Sequence, residues 1–176
     1  MDSRVDALLE KMTLAEKIGQ MTMLSATSER HESLTRTGQA GAFLNITDAH
    51  DIARYQKLAR EESRLGIPLL FAHDVIHGLH TIFPIPLAEA ASWDLALIEN
   101  AARVAAREAA ATGLHCTFAP MVDIARDARW GRIAEGAGED VVLGSAIARA
   151  RVRGFQGRDP ADPDSVAACV KHYAAY

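Results

Sequence analysis

PLLFAH, from Pro68 to His73, is a short apolar run that ends abruptly in a histidine and then an acid, Asp74. A helical pattern precedes it and stops at Gly66. An apolar run of this length, unbroken rather than alternating, suits a strand buried on both faces. Three more such runs share its character: AFLNI (42 to 46), HCTFAP (115 to 120) and VAACV (166 to 170). Between the four runs lie three stretches with helical period, DAHDIARYQKLAREESRL, DLALIENAARVAAREAAATG and DVVLGSAIARARVRGFQG. The order is β-α-β-α-β-α-β, which predicts an α/β fold with a parallel sheet covered by helices.

Two architectures fit that order, a doubly wound open sheet and part of a (β/α) barrel. A dinucleotide-type sheet would carry G-x-G-x-x-G directly after a strand, and none of the four strand ends does. The reading is therefore a partial (β/α)8 TIM-type barrel of about four βα units, with an amino-terminal helical segment. In that segment Val5, Leu8, Leu9 and Met12 share one face, with Ser3 and Asp6 placed to cap the first turn. TLAE, Thr13 to Glu16, fits a capping box that opens a second short helix. Residues 1–176 read as a single partial domain.

Composition narrows the function classes. Apolar residues are 49% and charged residues 24%, as in ordinary folded domains, and the net charge of −4 offers no basic field for a polyanion. Nucleic acid is not an expected partner, whereas a small neutral ligand is. No apolar run has membrane-spanning length, and MDSRVDALLEKM lacks the features of a secretory signal. As written the chain reads as cytosolic, or its export signal lies outside it. Cys116 and Cys169 each sit in an apolar run, where a reduced thiol is expected.

Ligands of either architecture bind at the carboxyl ends of the strands. The second run ends in His73 and Asp74, and the fourth in Lys171 and His172. After the third comes DIARDARWGRIAEGAGED, with Asp123, Arg126, Asp127, Arg129, Arg132, Glu135 and Glu139 in a segment of no regular period. Parallel strands about 4.8 Å apart bring such groups to one place. The irregular segment then reads as the wall of a polar pocket, against the alternative of an exposed, salt-bridged loop. Lysine at the end of a buried strand has to reach solvent, an acid or a ligand. Trp130 reads as a plug that packs the loop. HDVIHGLH would hold a metal through His73, Asp74, His77 and His80 if it were helical, but it continues a strand and contains Gly78.

KMTLAEKIGQM, DVIHG followed by TIFPIPLAEAASWD, ARDARWGRIAEGAGED and AACVKHYAAY together resemble the amino-terminal barrel domain of glycoside hydrolase family 3, in its β-glucosidase and β-xylosidase branch. The likeness runs from about Val5 to Tyr176. It implies that Asp74 grips hydroxyls of a terminal sugar, with Arg132, Lys171 and His172 as donors around the same ring. It also implies hydrolysis of terminal non-reducing β-D-glucosyl residues with retention, through an aspartate nucleophile and a second acid, with no metal or organic cofactor. That nucleophile and acid/base are expected beyond Tyr176, which leaves this chain a share of the sugar pocket and no activity alone. His80 stands where such enzymes often carry a sugar-contacting arginine, and imidazole is the shorter and weaker donor. KHYAAY differs from the KHFPG-type sequence of the N-acetylhexosaminidase branch, which disfavours that specificity. Two alternatives remain: a half-barrel that binds or self-associates through open sheet edges, and a metal-dependent hydrolase.

Overall fold

The computed structural model describes residues 3–174 and 176. Packing divides the chain into two compact units, Met1–Ala72 and His73–Tyr176.

The first unit runs α1 (Ser3–Lys11), α2 (Leu14–Gln20), β1 (Met23–Ser25), α3 (Glu29–Arg36), β2 (Ala42–Leu44), α4 (Ala49–Lys57) and then β3 (Leu70–His73), whose last residue belongs to the second unit. The capping box expected at Thr13 is present, with Thr13 and Glu16 bonded reciprocally at the start of α2. Asp48 caps α4, which widens into a π-helical turn over Leu58–Glu62 before the chain reaches Gly66. β1 pairs with β2 and β2 with β3, all parallel. Phe43 of β2 and Phe71 of β3 are fully buried, with ring centroids 5.8 Å apart, and Tyr55 of α4 closes on Phe43 at 4.7 Å. The Tyr55 hydroxyl is not stranded in that core, because it donates to the Ser28 carbonyl and accepts from the Ser28 N–H.

The second unit continues through α5 (Pro86–Ala91), α6 (Leu95–Thr112), β4 (Cys116–Thr117), α7 (Val141–Gln156) and β5 (Ala167–Ala168). Asp94 and Asp140 each cap the first turn of the helix that follows, and Gly113 ends α6 in the left-handed conformation that glycine adopts without strain. The inner face of α6 is mostly alanine, with Ala101, Ala102, Ala105, Ala106 and Ala109 buried, so α7 can come close. Gly154 is the closest approach: a β-carbon there would collide with the Glu99 carbonyl and the Ala102 side chain. Ile98, Ala90, Ile147 and Ala150 form the apolar core between these helices. β4 pairs parallel with β5, and the His73 carbonyl accepts from the Phe118 N–H. Cys116 and Cys169 are both free thiols.

Strand order follows the chain without the reversal that a doubly wound sheet requires, so the α/β arrangement is barrel-type, and it does not close. One strand precedes the four expected. β1 is three residues long with the burial pattern exposed, half-buried, exposed, and so carries no apolar run. No described helix is long and apolar enough to cross a membrane.

Candidate functional site

The site lies in the second unit, where chain segments leave the carboxyl ends of the strands. Asp74 follows β3 directly, and the backbone beside it is pinned: the Val75 N–H donates to the hydroxyl of Thr117, which is fully buried in β4, over 3.1 Å. Beyond β4 and β5 the ladder resumes for one step, with Met121 bridged to Lys171. The Lys171 N–H donates to the Pro120 carbonyl at 3.0 Å, and the Val122 N–H to the Lys171 carbonyl at 2.7 Å. That step sets Lys171 and His172 beside Asp123, and the peptide between them is cis.

Four of the five expected binding residues meet through direct or shared contacts. Lys171 Nζ donates to Asp74 Oδ1 at 2.8 Å, the lysine side chain being 13% exposed and the aspartate 40%. The end-of-strand lysine thus finds an acid, and the acid keeps accessible surface from which to accept from something else. Arg132 grips Glu135 with both prongs of its guanidinium and also donates to the Tyr176 hydroxyl. The Tyr176 ring stacks on His172, with centroids 3.7 Å apart and planes 18° apart, so Arg132 belongs to the same cluster. Arg132 holds the Glu135 carboxyl below its ordinary range, and the charge of Lys171 adds to that.

His80 is the exception. It is exposed, its backbone N–H and that of Thr81 are bound by Glu108 of α6, and among the described residues no hydrogen bond or ion pair joins its ring to Asp74, Lys171, His172 or Arg132. The HDVIHGLH stretch is not helical, and His77 Nδ1 is spent on the Phe83 carbonyl at 2.8 Å. Among the described residues no three histidine, cysteine, aspartate or glutamate side chains gather as they would around a metal.

Asp123 and Glu135 were named in the sequence only as members of the irregular segment. Asp123 Oδ2 accepts from the His172 backbone N–H at 3.1 Å and sits 2.9 Å from His172 Nδ1. The available signal was its position, just past a strand end, which it shares with Asp74. A concavity of about 690 Å³ opens here, walled by Asp123, Arg126, Asp127, Trp130, His172 and Tyr176, a volume suited to a small ligand. Trp130 is half-buried and meets Tyr176 edge-on at 6.0 Å, so it lines the concavity rather than plugging the loop. A second concavity, about 860 Å³, lies between α6, α7 and residues 158–164, but Arg103, Arg107 and Arg153 there are already paired to Asp164 or Glu99.

An acceptor-only carboxylate, two donor-only cations and an imidazole in one cluster can satisfy a polyol, whose hydroxyls each donate and accept. Among known proteins, the family described as glycosyl hydrolase family 3 N terminal domain matches residues 13–176. A periplasmic beta-glucosidase of Salmonella typhimurium is 46% identical over 179 residues, covering 99% of this chain and 23% of that protein. A crystal structure of a beta-glucosidase from Listeria innocua in complex with isofagomine matches with a TM-score of 0.90 and 42% identity, over 100% of this chain and 26% of that one. An exo-1,3/1,4-beta-glucanase from Pseudoalteromonas matches at 0.82 and 30%, over 97% of this chain and 31% of that one. The chain spans about a quarter of the length of the β-glucosidases it matches.

Proposed function

The chain belongs to glycoside hydrolase family 3, and from that premise we propose that its strand tips hold the terminal non-reducing β-D-glucosyl residue, or a related sugar, of a β-glucoside for hydrolysis with retention. The observation that carries the reading is the Lys171 to Asp74 contact, 2.8 Å between the ends of two strands 97 residues apart in sequence. Nothing in the packing of the core calls for a lysine and an aspartate at those tips, whereas a sugar does. Asp74 accepts from ring hydroxyls, Lys171 and Arg132 donate to them, and His172 completes the rim.

These groups bind and orient. Attack on the anomeric carbon and protonation of the leaving oxygen need two further carboxylates about 5 Å apart, which the proposal assigns to polypeptide outside residues 13–176. Fixing the ring against those carboxylates is itself a large contribution to rate, since it removes the orientational freedom the reacting groups would otherwise lose.

Calorimetric titration of glucose into the native full-length polypeptide and its Asp74→Ala variant tests the binding role. Native binding, weakened about 100-fold in the variant, is expected, since a carboxylate accepting two hydroxyls loses two charge-assisted bonds. Equal affinities would contradict it. The division of labour is tested separately, by incubating the 176-residue chain with an aryl β-glucoside. No turnover is expected, and turnover abolished by Asp74→Ala would contradict it.

A further inference from the structure

We infer that Asp123 is a positioning residue that sets the hydrogen-bond polarity of the sugar site, by holding His172 in the tautomer whose Nδ1 carries the proton, so that Nε2 meets a sugar hydroxyl as an acceptor. The inference rests on the sugar-site reading above and adds to it the chemical direction of one contact.

The geometry is local. One oxygen of Asp123, Oδ2, faces both the backbone N–H of His172 at 3.1 Å and the ring Nδ1 at 2.9 Å. The backbone N–H can only donate, and a carboxylate can only accept, so the proton between Asp123 and the ring sits on Nδ1. The Asp123 side chain is 10% exposed, which keeps water from competing for the same oxygen. Ring rotation is restrained as well, because the Tyr176 phenol lies flat on the imidazole at 3.7 Å. The two nitrogens lie on opposite sides of the ring, so with Nδ1 turned to Asp123, Nε2 points away from it. Among the described residues Nε2 has no hydrogen-bond partner, and the ring is on the wall of the concavity.

The consequence concerns what the site asks of its ligand. Lys171 and Arg132 can only donate, and Asp74 can only accept. A neutral imidazole could do either through Nε2, and its orienting partner decides which, as second-shell carboxylates do for metal-bound histidines. With Asp123 in place the site presents a second acceptor. The hydroxyl opposite His172 therefore has to donate, and a group that only accepts is rejected there.

Two measurements test this on the native full-length polypeptide and Asp123→Asn. The first is ¹⁵N NMR of labelled histidine rings, assigned to His172 through a His172→Gln control. The native His172 is expected to be protonated at Nδ1 and bare at Nε2. In Asp123→Asn the side-chain amide can donate to Nδ1, and the other tautomer is expected to gain population. The second is calorimetric affinity for glucose against each monodeoxy-monofluoro glucose, since fluorine cannot donate. In the native protein one ring position should show about a ten-fold loss on fluorination, the worth of one hydrogen bond. In Asp123→Asn that loss should shrink to about two-fold while losses at the other positions persist, an effect that general loosening would not produce. Asp123→Ala, which deletes both bonds and leaves the tautomer unset, should lower affinity and also shrink that positional loss. A native His172 protonated at Nε2, or a fluorination profile identical in native and Asp123→Asn, overturns the inference while leaving the sugar site standing. Absence of any glucose binding by the native protein overturns the sugar reading, and this inference with it.

Discussion

In the first unit, Glu16 accepts from the Thr13 N–H and hydroxyl at 2.8 Å each and from Arg64 Nε at 2.9 Å, while Arg64 also reaches the Lys11 carbonyl at 2.8 Å. In the second, Asp74, Asp123 and Glu135 are likewise held by Lys171, His172 and Arg132. Both clusters are carboxylates among donors, yet they differ in what they leave unfilled. Glu16 is 7% exposed and spends its oxygens on a helix cap, so the cluster closes on itself and serves folding. The strand-tip cluster keeps Asp74 40% exposed and His172 Nε2 without a partner among the described residues. Free acceptors at the end of a buried strand, rather than charge as such, mark the place where the protein can bind something.

The sharpest way to break that comparison is a closed pair inside the second unit. Arg151 is 5% exposed, paired with Glu89 of α5 and donating to the Ile76 carbonyl at 2.7 Å, and burial pushes the Glu89 carboxyl up. Arg151→Met is expected to cost about 3 kcal/mol in urea unfolding, because it leaves a buried acid unpaired. Adding Glu89→Leu should recover most of that loss. A single variant as stable as the native protein would place this pair among the open clusters. Asp74→Ala comes next: the roughly 100-fold loss in glucose affinity should come with a change in unfolding free energy of no more than about 1 kcal/mol, since a pair this exposed contributes little to folding. Thr117→Val removes the acceptor that pins Val75 and should cost about 1 to 2 kcal/mol in unfolding, with a several-fold loss of glucose affinity.

The closed cluster has a pH signature. Arg64 and the Thr13 donors hold the Glu16 carboxyl down to about 2, against an ordinary value of 4.5. A carboxyl depressed in the folded state contributes stability that is present above its unfolded pKa and lost as pH falls through the folded value. Melting curves of the native chain and Glu16→Gln should therefore be furthest apart above about pH 5 and converge near pH 2, with glucose affinity at neutral pH the same in both. A gap that does not depend on pH would contradict the assignment. The smallest effect is expected at His80, whose ring joins none of the other candidate residues: His80→Ala should change glucose affinity by less than about two-fold, within the range of an exposed substitution.

Legibility followed the same line between closed and open. The two long helices with an apolar stripe and an acid cap, α6 after Asp94 and α7 after Asp140, were readable to within a residue. Elements without a stripe were not. α3 buries only Thr35, β1 buries no residue, and α5 is six residues behind a proline. Asp74, Lys171 and His172 could be found because each follows an apolar run at once, and strand direction then fixes where they point. The partners of Arg132 and His172 could not, because an irregular segment has no period to say which side chains turn inward. Resemblance to the family supplied Arg132, and only the coordinates supplied Glu135 and the double bond to Asp123.

A crystal structure of the full-length polypeptide soaked in glucose would test the strand-tip site most directly. The account predicts a sugar whose hydroxyls lie within about 2.6 to 3.2 Å of Asp74, Lys171 and His172, with His172 Nε2 accepting. Glucose seated instead in the arginine-walled concavity between α6 and α7, with Lys171 still closed on Asp74 and no sugar at the strand tips, would contradict it.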